Sequence, residues 1–184
     1  MKTAWALGIL LFSTGCIVDQ KALHPLFDAS DDSAPSLAGT WRSEDDSATV
    51  VIRAIQDGFE LMSIKEGKAN GPLQLRLGRV GGTLYWDATP AEDEGSNDLR
   101  RAHELPVHSI ARLRFSDDSL AIEPLCSDWV KTALAEGRLD TSQVLIDDTL
   151  ILTGSSAELQ RLLLEHGDEE GAFGDAVVLR RVGP

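Results

Sequence analysis

From residue 48 onward, short β-branched or leucine-rich runs alternate with polar or glycine-containing breaks. Residues 48–56 (ATVVIRAIQ) stop at Asp57-Gly58, a dipeptide suited to a tight hairpin turn, and residues 59–65 form the returning strand. Leu73, Leu75 and Leu77 alternate with Gln74, Arg76 and Gly78, a period of two that turns the leucines to one buried face. Gly81-Gly82 leads into Thr83-Leu84-Tyr85-Trp86-Asp87. After a polar loop over 90–104, residues 107–115 alternate again, and Asp117-Asp118 turns the chain into Leu120-Ala121-Ile122. Trp41 opens an earlier strand, and 150–153 and 176–182 supply two late ones.

Two helices interrupt this pattern. Ser127-Asp128 caps the first and puts an acid in its first turn, where the helix dipole favours negative charge. Trp129, Val130, Ala133 and Leu134 share a face, and Gly137 ends the helix. Ser155 with Glu158 three residues later forms a capping box for the second, whose stripe is Leu159, Leu162 and Leu163 and whose end lies near Gly167. The expected fold class is mainly β (α+β): a small antiparallel β-barrel or strongly curved sheet of about 8–9 strands, with both short helices packed against it.

The first 15 residues have the order of a secretory signal: Lys2, an apolar run from Ala4 to Phe12, then Ser13-Thr14-Gly15 before Cys16. That run is shorter than the ~18 apolar residues a membrane span requires. The stretch ending in Cys16 resembles the bacterial lipobox, although Ser13 stands where leucine is more usual. The resemblance implies cleavage before Cys16, acylation of its thiol with palmitate-type chains, and a membrane anchor in the cell envelope. Ile17 in place of aspartate implies the outer membrane, facing the periplasm. Asp28-Ala29-Ser30-Asp31-Asp32-Ser33-Ala34-Pro35-Ser36 has almost no large apolar residue, so residues 16–36 read as an acylated cysteine and flexible tether. Residues 37–184 then form one globular β-rich domain.

Net charge changes the picture of partners. The chain carries −13, and loss of Lys2 with the leader makes it −14. Such a surface disfavours nucleic acid and adhesion to anionic lipid. Once Cys16 is acylated, Cys126 is the one remaining thiol, so no intramolecular disulfide forms; Cys126 is expected to pack as a small apolar residue.

Leu37-Ala38-Gly39-Thr40-Trp41 resembles the Gly-x-Trp opening of the lipocalins. The resemblance implies that Trp41 plugs one end of a barrel, that Arg180 or Arg181 in the last strand stacks on it, and that an apolar small ligand sits inside. Leu75, Leu77 and Trp86 would line that cavity. GTW, GGTLYWD and LPVHS are also similar to segments of small bacterial lipoproteins.

Candidate chemistry is sparse. His103 and His108 frame His-Glu-Leu-Pro-Val-His, but their spacing is five rather than the four of a zinc-protease helix, and Pro106 forbids a helix interior. His108 therefore reads as a structural residue at a strand start. The pairs Asp31-Asp32, Asp45-Asp46, Asp117-Asp118 and Asp147-Asp148 lack calcium-loop spacing and read as turn chemistry. Gly-x-Ser-x-Gly, Ser-x-x-Lys and glycine-rich phosphate loops are missing from the sequence. The expected protein is a non-enzymatic, lipid-anchored interaction module without metal or cofactor, its partners being the membrane and an envelope protein. The alternatives are a lipocalin-like binder of an apolar ligand and a hydrolase with no recognisable motif.

Overall fold

The strands close on themselves. In the computed structural model, which describes residues 20–31, 33–45, 47–91, 107–146 and 149–182, the strands are β1 (Lys21–Ala22), β2 (Gly39–Ser43), β3 (Ala48–Ile55), β4 (Gly58–Lys65), β5 (Lys68–Val80), β6 (Thr83–Pro90), β7 (His108–Phe115), β8 (Ser119–Pro124), β9 (Gln143–Ile146), β10 (Thr149–Leu152) and β11 (Val177–Arg181). The helices are α1 (Ser127–Ala135) and α2 (Ser156–His166). Strands β2 to β8 follow one another as an antiparallel meander, and β11 pairs with both β8 and β2 to complete an eight-stranded barrel. Closure leaves these strands without free edges.

Period-two alternation divides the apolar residues between two cores. Trp41, Val50, Ile52, Leu61, Leu75, Leu77, Leu84, Trp86, Leu113, Leu120, Ile122 and Leu179 fill the inside. Tyr85 and Ile110 point outward from β6 and β7 into a second core with Val130, Ala133, Leu159, Leu162 and Leu163 of the helices. Strand β6 is thus buried on both faces. Arg112 ties the layers together: its Nε lies 2.6 Å from Glu123 Oε2, its Nη1 donates to Gly167 O at the end of α2, and its guanidinium lies 4.4 Å from the Phe173 ring centroid. Helix α2 begins at the expected capping box of Ser155 and Glu158.

Residues 20–31 and 33–36 correct the expected tether. Leu26 and Phe27 are buried in the outer core, Leu26 N donates to Asp87 Oδ2 (2.8 Å), and Gln160 Nε2 donates to Leu26 O (2.8 Å). Phe27 lies against β5 where Gly78 leaves space, since a Cβ there would stand 2.5 Å from the phenyl ring. Asp31 N continues the contact by donating to Leu77 O (2.7 Å). A few apolar anchors and backbone hydrogen bonds outweigh the polar composition of the segment.

Outside the barrel, β1 takes the place beside β7 that β8 vacates: Lys21 and Ala22 oppose Ser109 and His108, whereas β8 pairs from Ala111 onward. The two-residue β1 runs parallel to β10, and β9 pairs antiparallel with β10. Neither β1 nor β9 was expected from the hydrophobic pattern.

Candidate functional site

Among the described residues singled out by the sequence, Trp41 and Arg181 fall at the plugged end of the barrel and His108 in a cleft on its flank. At the end, Trp41 on β2 and Arg181 on β11 are register partners, so they share the inward face. Arg181 lies with its guanidinium carbon 4.3 Å from the Trp41 ring centroid. Its Nη1 donates to Ala38 O (2.8 Å) and its Nε to Asp117 O (3.1 Å), while Trp41 Nε1 donates to Leu37 O (2.9 Å). Phe115 meets the indole edge-on at 6.2 Å between centroids. Of the two arginines considered, Arg181 is the stacking partner; Arg180 points to the outer face and bonds Glu44 (2.9 Å). Strand parity decides between them.

The expected ligand-lining residues Leu75, Leu77 and Trp86 come together, but as packing. A void wide enough for one water would leave accessible surface on the side chains around it. Trp41, Leu77, Trp86, Leu120 and Ile122 have none, and Leu75 has 1%. The indole N–H of Trp86 has no hydrogen-bond partner among the described residues. Shape rather than polar pairing fixes that side chain. A depression of about 480 Å³ lies at the rim, lined by Phe115, Leu113, Leu84 and Pro35; Trp86 takes no part in its lining.

The flank cleft, about 230 Å³, is bordered by Gln74, Arg76, Asp87, Thr89 and His108 and by the β3–β4 turn at Gln56-Asp57. Asp87 is 2% exposed and has both oxygens engaged: Oδ1 lies 2.7 Å from His108 Nδ1, and Oδ2 accepts from Leu26 N. With Nδ1 held by the carboxylate, Nε2 is the ring nitrogen left for another contact. This arrangement orients an imidazole and joins β6, β7 and the N-terminal segment. Among the described lining residues Thr89 carries the hydroxyl, and no hydrogen bond joins it to His108. Asp87 escaped the sequence reading. Its signal is a carboxylate inside Leu84-Tyr85-Trp86-Asp87-Ala88, where apolar residues of both parities indicate a strand covered on two faces.

Turn chemistry accounts for Asp31, Asp45 and Asp118. Asp45 accepts from Ser43 Oγ (2.6 Å) and Ser47 N (3.0 Å), which holds its carboxyl down at about 2. Asp31 accepts from the backbone and hydroxyl of Ser33, and its carboxyl is likewise lowered, first by the hydroxyl bond. Ser116 donates to Asp118 (3.2 Å). Among the described residues, no three His, Cys, Asp or Glu side chains converge as metal ligands. Cys126, expected to be buried, is partly exposed at the N-cap of α1, where the chain must leave the sheet to start the helix. Cys16, Asp32, Asp46, His103, Glu104 and Asp147-Asp148 lie outside the described residues.

These features define a closed antiparallel β-barrel, plugged at one end by a tryptophan–arginine stack and flanked by a helix-bearing layer. Compared with protein-family models, curated proteins and solved structures, the chain gives no match.

Proposed function

We propose that this chain is a lipid-anchored module of the cell envelope, held at the periplasmic face of the outer membrane by acyl chains on Cys16 and acting through its surface rather than by catalysis. The filled barrel carries this reading. A lipocalin-like binder requires an interior void of roughly 300 Å³ or more for a small ligand, whereas Leu77 and Trp86 are wholly buried against their neighbours. The lipocalin resemblance is supported by the closed eight-stranded antiparallel barrel and by the Gly39-Thr40-Trp41 and Arg181 stack, a device that closes a barrel whether or not anything lies within. An apolar strand left exposed elsewhere, Val144-Leu145-Ile146, further supports surface action. No described helix is long and apolar enough to cross a membrane.

The experiment is expression of the full chain and of Cys16→Ser in a bacterium that processes lipoproteins. Mass spectrometry of the mature N-terminal peptide should find acyl groups on Cys16, and the serine variant should leave the membrane fraction while keeping its fold. An unmodified Cys16, or a serine variant that remains membrane-bound to the same extent, refutes the anchor.

A further inference from the structure

We infer that the exposed edge strand β9 is a lipid-contacting element that seats the barrel against the bilayer in a fixed orientation, an inference that rests on the acylation of Cys16 proposed above. Val144, Leu145 and Ile146 are 41%, 63% and 40% exposed, in consecutive positions of one strand. The other large exposed apolar residues among those described, Ile55, Ile64, Leu164 and Val182, are dispersed over separate elements. Single exposed apolar residues are ordinary on a soluble surface; a run of three on a sheet edge is not.

The path of the chain identifies the occupant. Only four peptide units separate Cys16 from Gln20, the first described residue, and they span at most about 14 Å. Gln20 is already fixed: its backbone N–H donates to Leu125 O (3.2 Å) and its side chain to Leu150 O (3.0 Å). Lys21 opposes Ile151, which opposes Val144, so β1, β10 and β9 lie side by side. At ~4.8 Å between neighbouring strands, β9 is about 10 Å from β1. Because β1 and β10 are parallel, the residues before Lys21 approach from the Leu150–Thr149 end of β10, the end where Ile146 pairs with Thr149. An acyl-bearing Cys16 therefore draws that corner of the molecule to the membrane.

The strand suits an interface in a second way. Val144 and Ile146 lie on one face of the β9–β10 pair and Leu145 on the other, so the edge is apolar on both sides. Edge-on contact places all three at the boundary between headgroups and acyl chains. Among the described residues no strand pairs with the outer edge of β9; its backbone groups there, and Asp147-Asp148 next in sequence, hold the contact shallow, since neither tolerates hydrocarbon. The two aspartates next in sequence also select a zwitterionic over an anionic surface.

The test uses the full acylated chain carrying Cys126→Ala and Leu145→Cys labelled with an environment-sensitive fluorophore, bound to phosphatidylcholine vesicles with quenchers on their acyl chains. A matched protein carries the label at Ile64 on the far side of the barrel. The position-145 label should shift to the blue and be quenched, the position-64 label should do neither, and Val144→Ser with Ile146→Ser should abolish the quenching at 145. Acylated protein whose 145 label is no more quenched than its 64 label overturns the inference and leaves the anchor standing; an unmodified Cys16 overturns both. A blue shift without vesicles that grows with protein concentration, or one requiring an added envelope protein, makes β9 a protein-pairing edge and equally overturns it.

Discussion

Gly39 can be no other residue without disturbing the plug it precedes. Its φ of 148° lies where side chains are rarely tolerated, and a Cβ would stand 2.6 Å from Arg181 Nη1. The short motif at the start of β2 thus has a steric cause: the glycine vacates the volume that the guanidinium fills over Trp41. Gly39→Ala should destabilise the domain by ~1–3 kcal/mol, the range for a residue forced into so sparse a backbone region. In an Arg181→Ala background the same change should cost less, because the clash is gone and only backbone strain remains. Urea unfolding of the four proteins gives the coupling, and equal costs in both backgrounds would show that Arg181 is not what the glycine accommodates. Asp87 is a parallel case built on polarity. Asp87→Ala leaves Leu26 N and His108 Nδ1 without their partner, a loss of ~1–3 kcal/mol for each buried group left unsatisfied. Asp87→Asn keeps an oxygen for Leu26 and offers an amide to His108, so it should recover most of that stability. An asparagine variant as unstable as the alanine one would mean that the charge, not the hydrogen bonding, is what matters.

Elements differ in how plainly they announce themselves. Strands β3 to β8 were legible because each is a β-branched, leucine-rich or aromatic run set between turns marked by glycine, aspartate or proline; α2 was legible from its capping box. Strand β9 was not, because Gln143-Val144-Leu145-Ile146 has no alternation and no buried face to impose one. Two-residue β1 is too short for any period, and its existence depends on partners more than 80 residues away. The docking of Leu26 and Phe27 was hidden by the polar stretch that follows them, and the Asp87–His108 pair by a separation of 21 residues that only strand register closes. The β2–β3 turn shows an element held by a carboxylate. Asp45 titrates near 2 when folded, below its ordinary 3.8, because Ser43 and Ser47 donate to its charged form. Its contribution is complete above the unfolded value of 3.8 and disappears as pH falls through about 2. Asp45→Ala should consequently lower the melting temperature at pH 6, with the gap from the parent narrowing below pH 3.8 and closing near pH 2. A gap that persists unchanged at pH 2 would assign the loss to something other than the ionised carboxylate.

At the scale of the whole molecule, the barrel wall separates two buried cores: a sealed interior and an outer layer that also holds Leu26 and Phe27 of the N-terminal segment. Sealing rather than ligand content then governs what the interior can do. Leu77 sits at 0% exposure within the inner core, so Leu77→Ala removes packed methylenes and leaves a void that rigid strands cannot wholly collapse, at a cost of ~2–5 kcal/mol. An apolar void of that kind stays dry and admits small apolar guests. A guest that binds the folded state alone raises its melting temperature. Benzene or xenon should therefore stabilise Leu77→Ala while leaving the parent protein unaffected, and calorimetric scans with and without the guest make the comparison. Stabilisation of the parent to the same degree would mean that its barrel already holds accessible space, and would return a small-molecule role to the interior. A response confined to the variant leaves the surface, from the plugged end to the exposed strand at the anchor corner, as the part of the molecule through which it acts.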